Sequence, residues 1–515
     1  MQKNLGDFFR RRAWVSPDRE AIVDLAANRR FTYDQVNNRI NALSHALAAR
    51  GIGKGDRVAL LTYNSIEFVD SFYAVAKLGA VAVPLNWRLV ADELSFILKD
   101  CSATAMIYGC EFAEVVADLH GRGEDGTDIS CWIEAGPEDS RQPFAEYYDS
   151  LIEGGNTSEP ELTASGDDLM FIMYTSGTTG LPKGVMHTHN TVFGSLHNVL
   201  STVDQGANDR YLIVLPLFHV GALTPIISSL FIGNSVTLMR QFDPAAMWQV
   251  FEDEKINLTL AVPAMLNFML QVPEYEKRDW SSLRYIFSGA SPVPVALIHR
   301  YNEIGIEIQQ VYGMTETGGP GCYIGGKDAV ERAGSTGRSY LMTDVRIVDE
   351  AGQDVPPGEP GQILMRGDHI MTGYWNRPDA TAEAIQDGWL HTGDVAIMDE
   401  DGFVTIHDRI KDMVISGGEN VYPAEIENII LQHEAVGDVA VIGQPSDAWG
   451  ESPFAVVVRK DENVEIGDIL KFCDGKLAPF KMPKGGAFVD EIPRNPTGKP
   501  LKRLLRDQFP GPAPE

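Results

Sequence analysis

The sequence predicts an α/β protein: a large N-terminal domain of mainly parallel sheets, a small β-unit within it, and a smaller α+β C-terminal domain. Three observations carry that expectation. Strand and helix patterns alternate through the first third of the chain and recur further on. From about Asp344 to Phe403, short strands are separated by Gly, Pro and Asp turns. After Asp408-Arg409 the pattern restarts with a helix and strand mixture of its own.

Residues 35–50 read as a helix, with apolar Val36, Ile40, Leu43 and Leu47 at three- and four-residue spacing. Gly51 and Gly53 stop it, and residues 56–61 follow as a buried strand. A second helix is expected over 66–78 and a second strand over 79–84. Strand–helix–strand repetition of this kind builds parallel sheets with helices on their faces. Apolar runs at 210–215 and 258–262 continue it. Residues 344–348 and 362–366 are the clearest strands of the β-unit, and 436–442 and 453–458 those of the C-terminal region. Domains are therefore expected at 1–409 and 410–515, with 510–514 as a loose tail.

The chain has 515 residues, 44% of them hydrophobic and 22% charged, which is globular composition too long for one ordinary core. Its net charge of −29 repels nucleic acid and anionic membrane as general partners. Five scattered cysteines without metal-like spacing fit a reducing compartment, hence the cytoplasm. No signal peptide is expected, and no stretch reaches the ~18 apolar residues of a membrane helix. Phe8-Phe9-Arg10-Arg11-Arg12 reads as the start of an amphipathic surface helix, with transient membrane contact as the alternative. His187 and His189 alternate along a strand without acidic or cysteine partners, so no zinc site is expected there.

Tyr174-Thr175-Ser176-Gly177-Thr178-Thr179-Gly180-Leu181-Pro182-Lys183-Gly184 is the most informative segment. A strand-like run, residues 169–173, leads into it. Its glycines let the backbone approach a ligand, and its hydroxyls, N–H groups and lysine suit an oxyanion. It is not a Walker loop, because Pro182 precedes Lys183 and Gly184 follows it in place of Ser or Thr.

This loop resembles the phosphate-binding signature of the adenylate-forming superfamily: acyl-CoA synthetases, adenylation domains and beetle luciferases. Similar landmarks follow in family order: Leu215-Pro216-Leu217-Phe218-His219, Ser288-Gly289-Ala290-Ser291-Pro292, and Gln310-Val311-Tyr312-Gly313-Met314-Thr315-Glu316-Thr317. Gly388 to Asp394, Asp408-Arg409-Ile410-Lys411, and Pro493 to Lys499 complete them. The overall pattern is most similar to bacterial long- and very-long-chain fatty-acyl-CoA synthetases.

The resemblance implies an AMP-forming acid–CoA ligase that uses ATP, Mg²⁺ and coenzyme A and works through an acyl-adenylate. It implies that Thr175, Ser176, Gly177, Thr178, Thr179, Gly180 and Lys183 hold the β- and γ-phosphates. Gly289, Ala290, Gln310, Tyr312, Gly313 and Met314 then surround the nucleotide, Thr315 meets the α-phosphate, and Glu316 with Thr175 serves Mg²⁺. Asp394 and Arg409 fall at the ribose. Lys499 is implied as the catalytic cation bridging the acid and the α-phosphate. Lys411 is the implied hinge of a mobile C-terminal domain, and Ser416, Gly417 and Gly418 its thiolation face. His219, Val220, Gly221, Ala222 and Val262 are the expected acyl pocket, small and apolar apart from His219, which is also expected to be catalytic by gating the pocket or orienting the carboxylate. An amino-acid substrate is not expected, since no acidic residue lies between Val214 and Ser229 to pair an ammonium group. Aryl, alicyclic and steroid side-chain acids stay open, as do a carrier protein as acceptor in trans, a luciferase-type oxygenase and a nucleotide sensor. A homodimer is carried as a further expectation.

Overall fold

The computed structural model describes residues 3–175, 182–409, 412–416, 419–446, 449–479, 481–494 and 500–511. Two large sheets organise the N-terminal region. In the nine-stranded sheet the central strands are Glu307–Tyr312, Tyr285–Gly289, Leu258–Leu260, Arg210–Ile213, Ser235–Leu238 and Glu20–Asp24, all parallel. At one end Cys322–Ile324 and then the edge strand Arg338–Ser339 add antiparallel, and at the other so does the edge strand Arg29–Thr32. The eight-stranded sheet is parallel from Leu169–Thr175 through Val81–Pro84, Arg57–Leu61, Ala103–Gly109 and Cys131–Ala135 to Glu146–Tyr147. Lys183–Thr188 and Gly373–Tyr374 close that sheet in antiparallel fashion.

The principal core lies where the two sheets meet, and it unites Leu60, Phe171, Tyr211, Ile213 and Phe287 with helices between them. Helix Ile66–Leu78 explains why the sheets face each other. Every residue in it except Glu67 is buried, so it needs cover on all sides. Ser65 caps its start by accepting from the Phe68 N–H, and Gly79 ends it at φ 71°, a left-handed conformation that glycine adopts without strain. The expected span matches the observed one. The strand expected over 258–262 ends at Leu260, because Val262 caps the helix that Pro263 opens.

The β-unit consists of Asp344–Val348, Pro360–Arg366, Ile385–Gln386, Trp389–Met398 and Val404–Arg409, antiparallel throughout. From Val414 onward a separate apolar cluster forms around Val421, Ile426, Val439, Val457 and Ile469. Strands Val436–Ser446 and Gly450–Arg459 form its centre.

The helix expected at Phe8 to Arg12 runs from Leu5 to Val15. Helix Leu5–Val15 turns Phe9 into the core at 3% exposure. The Phe8 ring lies 4.6 Å from Phe193 and 5.5 Å from Phe231, while Arg10 and Arg11 both donate to Asp7. Phe8 and Phe9 thus pack inward, whereas Trp14 on the same helix is 82% exposed. Among the described residues no helix is long and apolar enough to cross a membrane.

The segment that feeds strand Leu169–Thr175 is fastened by a buried cation. The Lys77 ammonium is fully buried and donates to Asn37 Oδ1 at 2.9 Å, Asn41 Oδ1 at 2.6 Å and Glu159 Oε2 at 2.7 Å. Burial pulls the Lys77 pKa below its ordinary value. Removing one partner of such a pair leaves an uncompensated charge, whereas removing both is far milder. Glu159→Ala is expected to lower the unfolding free energy by about 2 kcal/mol in urea melts near neutral pH, and adding Lys77→Met to recover most of that loss. Equal loss in the single and double variants would show that the stranded charge is not the cause.

Candidate functional site

The site begins where the parallel strands of the nine-stranded sheet end, the edge at which open α/β sheets bind ligands. Strands Tyr285–Gly289 and Glu307–Tyr312 run in register, with Ser288 beside Gln310 and Gly289 beside Val311. A Cβ on Gly289 would stand 2.2 Å from the Val311 carbonyl oxygen, so only glycine fits. Ala290 follows at φ 67°, a left-handed conformation costly for alanine. Ser288 Oγ and Gln310 Nε2 are buried without a protein hydrogen-bond partner among the described residues. Buried polar atoms in that state call for a water or a ligand.

Beyond Tyr312 the chain folds back on itself. A Cβ on Gly313 would lie 1.6 Å from the Gly319 carbonyl oxygen. Inside this reversal Thr315–Thr317 forms one 3₁₀ turn, closed by Gly318 at φ 61°. Two clusters grow from its two arms.

The first is Tyr312, Asp394 and Arg409. The β-unit sets Asp394 directly across from Arg409 on neighbouring antiparallel strands. Arg409 Nε lies 3.2 Å from Asp394 Oδ1, and the Tyr312 hydroxyl donates to Asp394 Oδ2 at 2.5 Å. Asp394 is 6% exposed. Its N–H donates to Thr392 Oγ1, which in turn donates to the Ile363 carbonyl. Burial, reinforced by the Asp394 carboxylate, pushes the Tyr312 phenol well above its usual range, so it remains a donor. Burial opposes the charge on Arg409, but Asp394 together with Tyr312, Glu316 and Asp412 outweighs it and raises its pKa. Each Asp394 oxygen thus has one protein donor and retains capacity for another.

The second cluster is Glu316, Tyr374 and Lys183. Glu316 is buried, and its Oε1 accepts from the Tyr374 hydroxyl at 2.8 Å. Lys183 Nζ sits 5.0 Å from the centre of the Tyr374 ring, within cation–π range. Lys183 also stands across from Thr175, whose hydroxyl reaches the Lys183 carbonyl at 3.5 Å. Burial and the Glu316 carboxylate raise the Tyr374 pKa, keeping its proton for the hydrogen bond. Tyr374 leaves Glu316 with spare oxygen lone pairs. One carboxylate completed by phosphate oxygens and water is a donor set that suits Mg²⁺. Among the described residues no three His, Cys, Asp or Glu side chains gather into an all-protein metal cage.

Behind the turn, His187 Nε2 lies 2.8 Å from the Thr315 carbonyl oxygen and Nδ1 lies 3.1 Å from Thr191 Oγ1. A carbonyl only accepts, so Nε2 carries the proton. Burial depresses the His187 pKa to about 4, which leaves the ring neutral.

On the remaining side, His219 occupies the N-cap position of helix Val220–Ile232, its ring 4.3 Å from Phe218. Gly221 and Ala222 border a narrow gap against strand Arg210–Ile213, with Leu260 at its end. Val262 is buried in the same core. Met314 packs with Val185 and Met371.

Ser176, Gly177, Thr178, Thr179, Gly180, Lys411, Gly417, Gly418 and Lys499 lie outside the described residues. Ser416 is buried at 1% exposure on strand Val414–Ser416. Sequence reasoning passed over Tyr374 as a site residue and read His187 only for zinc. A signal for Tyr374 was present, an aromatic pair between Gly373 and Pro378. Nothing in the sequence marks His187, because its partner is a backbone carbonyl 128 residues away.

Comparison with known proteins places this geometry. A family model described as AMP-binding enzyme matches residues 9–375, and one described as AMP-binding enzyme C-terminal domain matches 425–499. A long-chain-fatty-acid–CoA ligase of Mycobacterium tuberculosis, FadD13, is 44% identical, with 100% of each chain covered. A feruloyl-CoA synthase of an Amycolatopsis species is 39% identical over 98% of this chain and 99% of its own. Among solved structures, a Mycobacterium tuberculosis fatty acyl CoA synthetase superposes with a TM-score of 0.80 at 43% identity, covering 98% of both chains.

The approach at Gly313 is open to a direct check. Gly313→Ala is expected to destabilise the protein by about 1–3 kcal/mol in chemical unfolding, the usual cost of overpacking. An unchanged midpoint would mean the turn relaxes freely.

Proposed function

We infer the chemistry of this site from one premise: the chain belongs to the AMP-binding enzyme family. It is an AMP-forming acid–CoA ligase that uses ATP, Mg²⁺ and coenzyme A, acting on a fatty or other hydrophobic carboxylic acid. The observation that carries the site reading is the pairing of the Tyr312–Asp394–Arg409 cluster with the Glu316–Tyr374–Lys183 cluster on one backbone reversal.

In the first half-reaction a carboxylate oxygen attacks the α-phosphorus of ATP. The bond from that phosphorus to the bridging β-phosphate oxygen breaks, and pyrophosphate leaves. Asp394 would accept from the ribose hydroxyls while Arg409 and Tyr312 hold it. Gly289, Ala290 and Gln310 would border the nucleotide. Lys183, with the loop from Thr175 to Gly180, would cradle the departing phosphates, and Thr315 would donate at the α-phosphate. Glu316 with Thr175 would hold Mg²⁺, which supplies positive charge against the phosphate oxygens. Lys499 would bridge the two reacting anions, which otherwise repel each other.

In the second half-reaction the coenzyme A sulfur attacks the acyl carbon, its proton passes to a base, and AMP departs with the electron pair of the broken C–O bond. We assign residues 410–515 to a domain that turns about Lys411 between the two steps and presents the Ser416, Gly417 and Gly418 segment to the thiol. Separate apolar clusters on either side of that junction support the division. His219, Val220, Gly221, Ala222 and Val262 are assigned to the acyl pocket, and their apolar surroundings favour a hydrocarbon. Five free cysteines support a cytoplasmic setting, and a homodimer, checked by light scattering, belongs to the same proposal. A panel of acids assayed separately for AMP, pyrophosphate and acyl-CoA tests the reading. Adenylate formed without a CoA product would favour a carrier protein as acceptor.

Lys499→Ala is expected to abolish most pyrophosphate release while ATP still binds, and to spare thioester formation from supplied acyl-adenylate. Equal loss in both steps would sink the assignment. Asp394→Ala is expected to raise KM for ATP about tenfold or more, the scale of losing a charged hydrogen bond. Wild-type ATP kinetics in that variant would remove the ribose role.

A further inference from the structure

The turn that carries Thr315 and Glu316 is held from behind by three side chains outside the ligand contacts assigned above. The His187 ring donates through Nε2 to the Thr315 carbonyl at 2.8 Å. Ser195 and Thr224 both donate their hydroxyls to the Gly318 carbonyl, each at 2.7 Å. The three come from separate elements: strand Lys183–Thr188, helix His189–Thr202 and helix Val220–Ile232.

Two hydroxyls on one carbonyl occupy both of its lone pairs. Gly318 is left-handed at φ 61°, and a Cβ there would lie 3.2 Å from both His187 Cε1 and Ser195 Oγ. The space behind the turn is not solidly packed, because a small cavity opens there. Its polar side is His187, Ser195 and Thr224, and its apolar side includes Phe171, Leu196 and Ile227. Close-packed atoms would hold a turn by contact alone. Beside a cavity that restraint weakens, and the three hydrogen bonds take its place. Thr224 also belongs to the helix whose first turn, Val220 to Ala222, is assigned to the acyl pocket.

We propose that His187, Ser195 and Thr224 are positioning residues of adenylation: they clamp the 315–318 backbone from behind and, through Thr224, link the placement of Thr315 and Glu316 to the helix bordering the acyl pocket. The proposal rests on the site reading above. The clamp acts on the step that uses Thr315 and Glu316 and leaves the thiol step alone.

The test compares His187→Leu, His187→Gln, Thr224→Val and Ser195→Ala in the full-length protein. Three readouts are needed: kcat for pyrophosphate release, thioester formation from supplied acyl-adenylate, and calorimetric ATP affinity with and without Mg²⁺. His187→Leu and Thr224→Val are each expected to lower pyrophosphate release about tenfold, with Ser195→Ala in the same direction, and to leave the thiol step within about twofold. ATP affinity is expected to fall when Mg²⁺ is present and to hold when it is absent. His187→Gln, whose amide nitrogen can take the place of Nε2, is expected to stay within about threefold of wild type.

Equal losses in both half-reactions would overturn the clamp, as would a glutamine variant as impaired as the leucine one or unaltered Mg²⁺-dependent ATP affinity. Should His187→Leu fail to fold, the isosteric Thr224→Val decides by the same readouts. Glu316→Gln separates the two levels of inference. If it keeps Mg²⁺-dependent ATP affinity, the site reading falls and the clamp with it. If it loses that affinity while the clamp variants behave as wild type, the clamp alone falls.

Discussion

The two arms of the site depend on the backbone approach of Gly313 to Gly319, where a side chain on Gly313 would occupy the space of a carbonyl oxygen. That reversal sends Tyr312 toward the β-unit and turns Glu316 toward the eight-stranded sheet. Asp394 meets Tyr312 and Tyr374 meets Glu316, one on each arm of the same short segment, and Lys183, more than 200 residues before Asp394, joins through the Tyr374 ring. A wider turn would separate the arms, and neither cluster would keep its geometry.

Charge is handled in two ways. The surface is strongly acidic, with a net charge of −29, which by itself would repel anionic substrates. Within the site Lys183 lies over an aromatic ring and Arg409 is paired to a buried carboxylate. Cations held in low dielectric act over short distances without altering the overall field. The acidic exterior and the anion-binding interior therefore coexist.

The sequence made the architecture legible because its signals there are periodic and local. Helix Ile66–Leu78 was delimited by an apolar run between a serine and a glycine, and the parallel order followed from strand–helix alternation. Edges were less legible: the antiparallel strands closing both large sheets carry no distinct pattern, being short and set by what they pair with. In the site, residues inside contiguous motifs, such as Tyr312, Asp394 and Arg409, could be named in advance, and the structure brings those three together. Tyr374, Ser195 and Thr224 could not, since each acts through one hydrogen bond to a distant segment. A hydroxyl in a helix looks the same in sequence whether it bonds solvent or a carbonyl across the fold. The inward face of the helix around Phe8 to Arg12 was illegible for a related reason, because composition does not say which face of a helix turns inward.

Helix Ile66–Leu78 has a bearing on how the protein is made. Buried on nearly every side, it has no stable surroundings until both large sheets exist, and the last parallel strand of the nine-stranded one ends near residue 312. During synthesis its apolar surface must wait for more than two hundred further residues to emerge. Over that interval the nascent chain exposes a stretch of Phe, Tyr, Val and Ala that invites association with other unfolded chains. A helix that belongs to two sheets at once thus carries its aggregation hazard through much of synthesis.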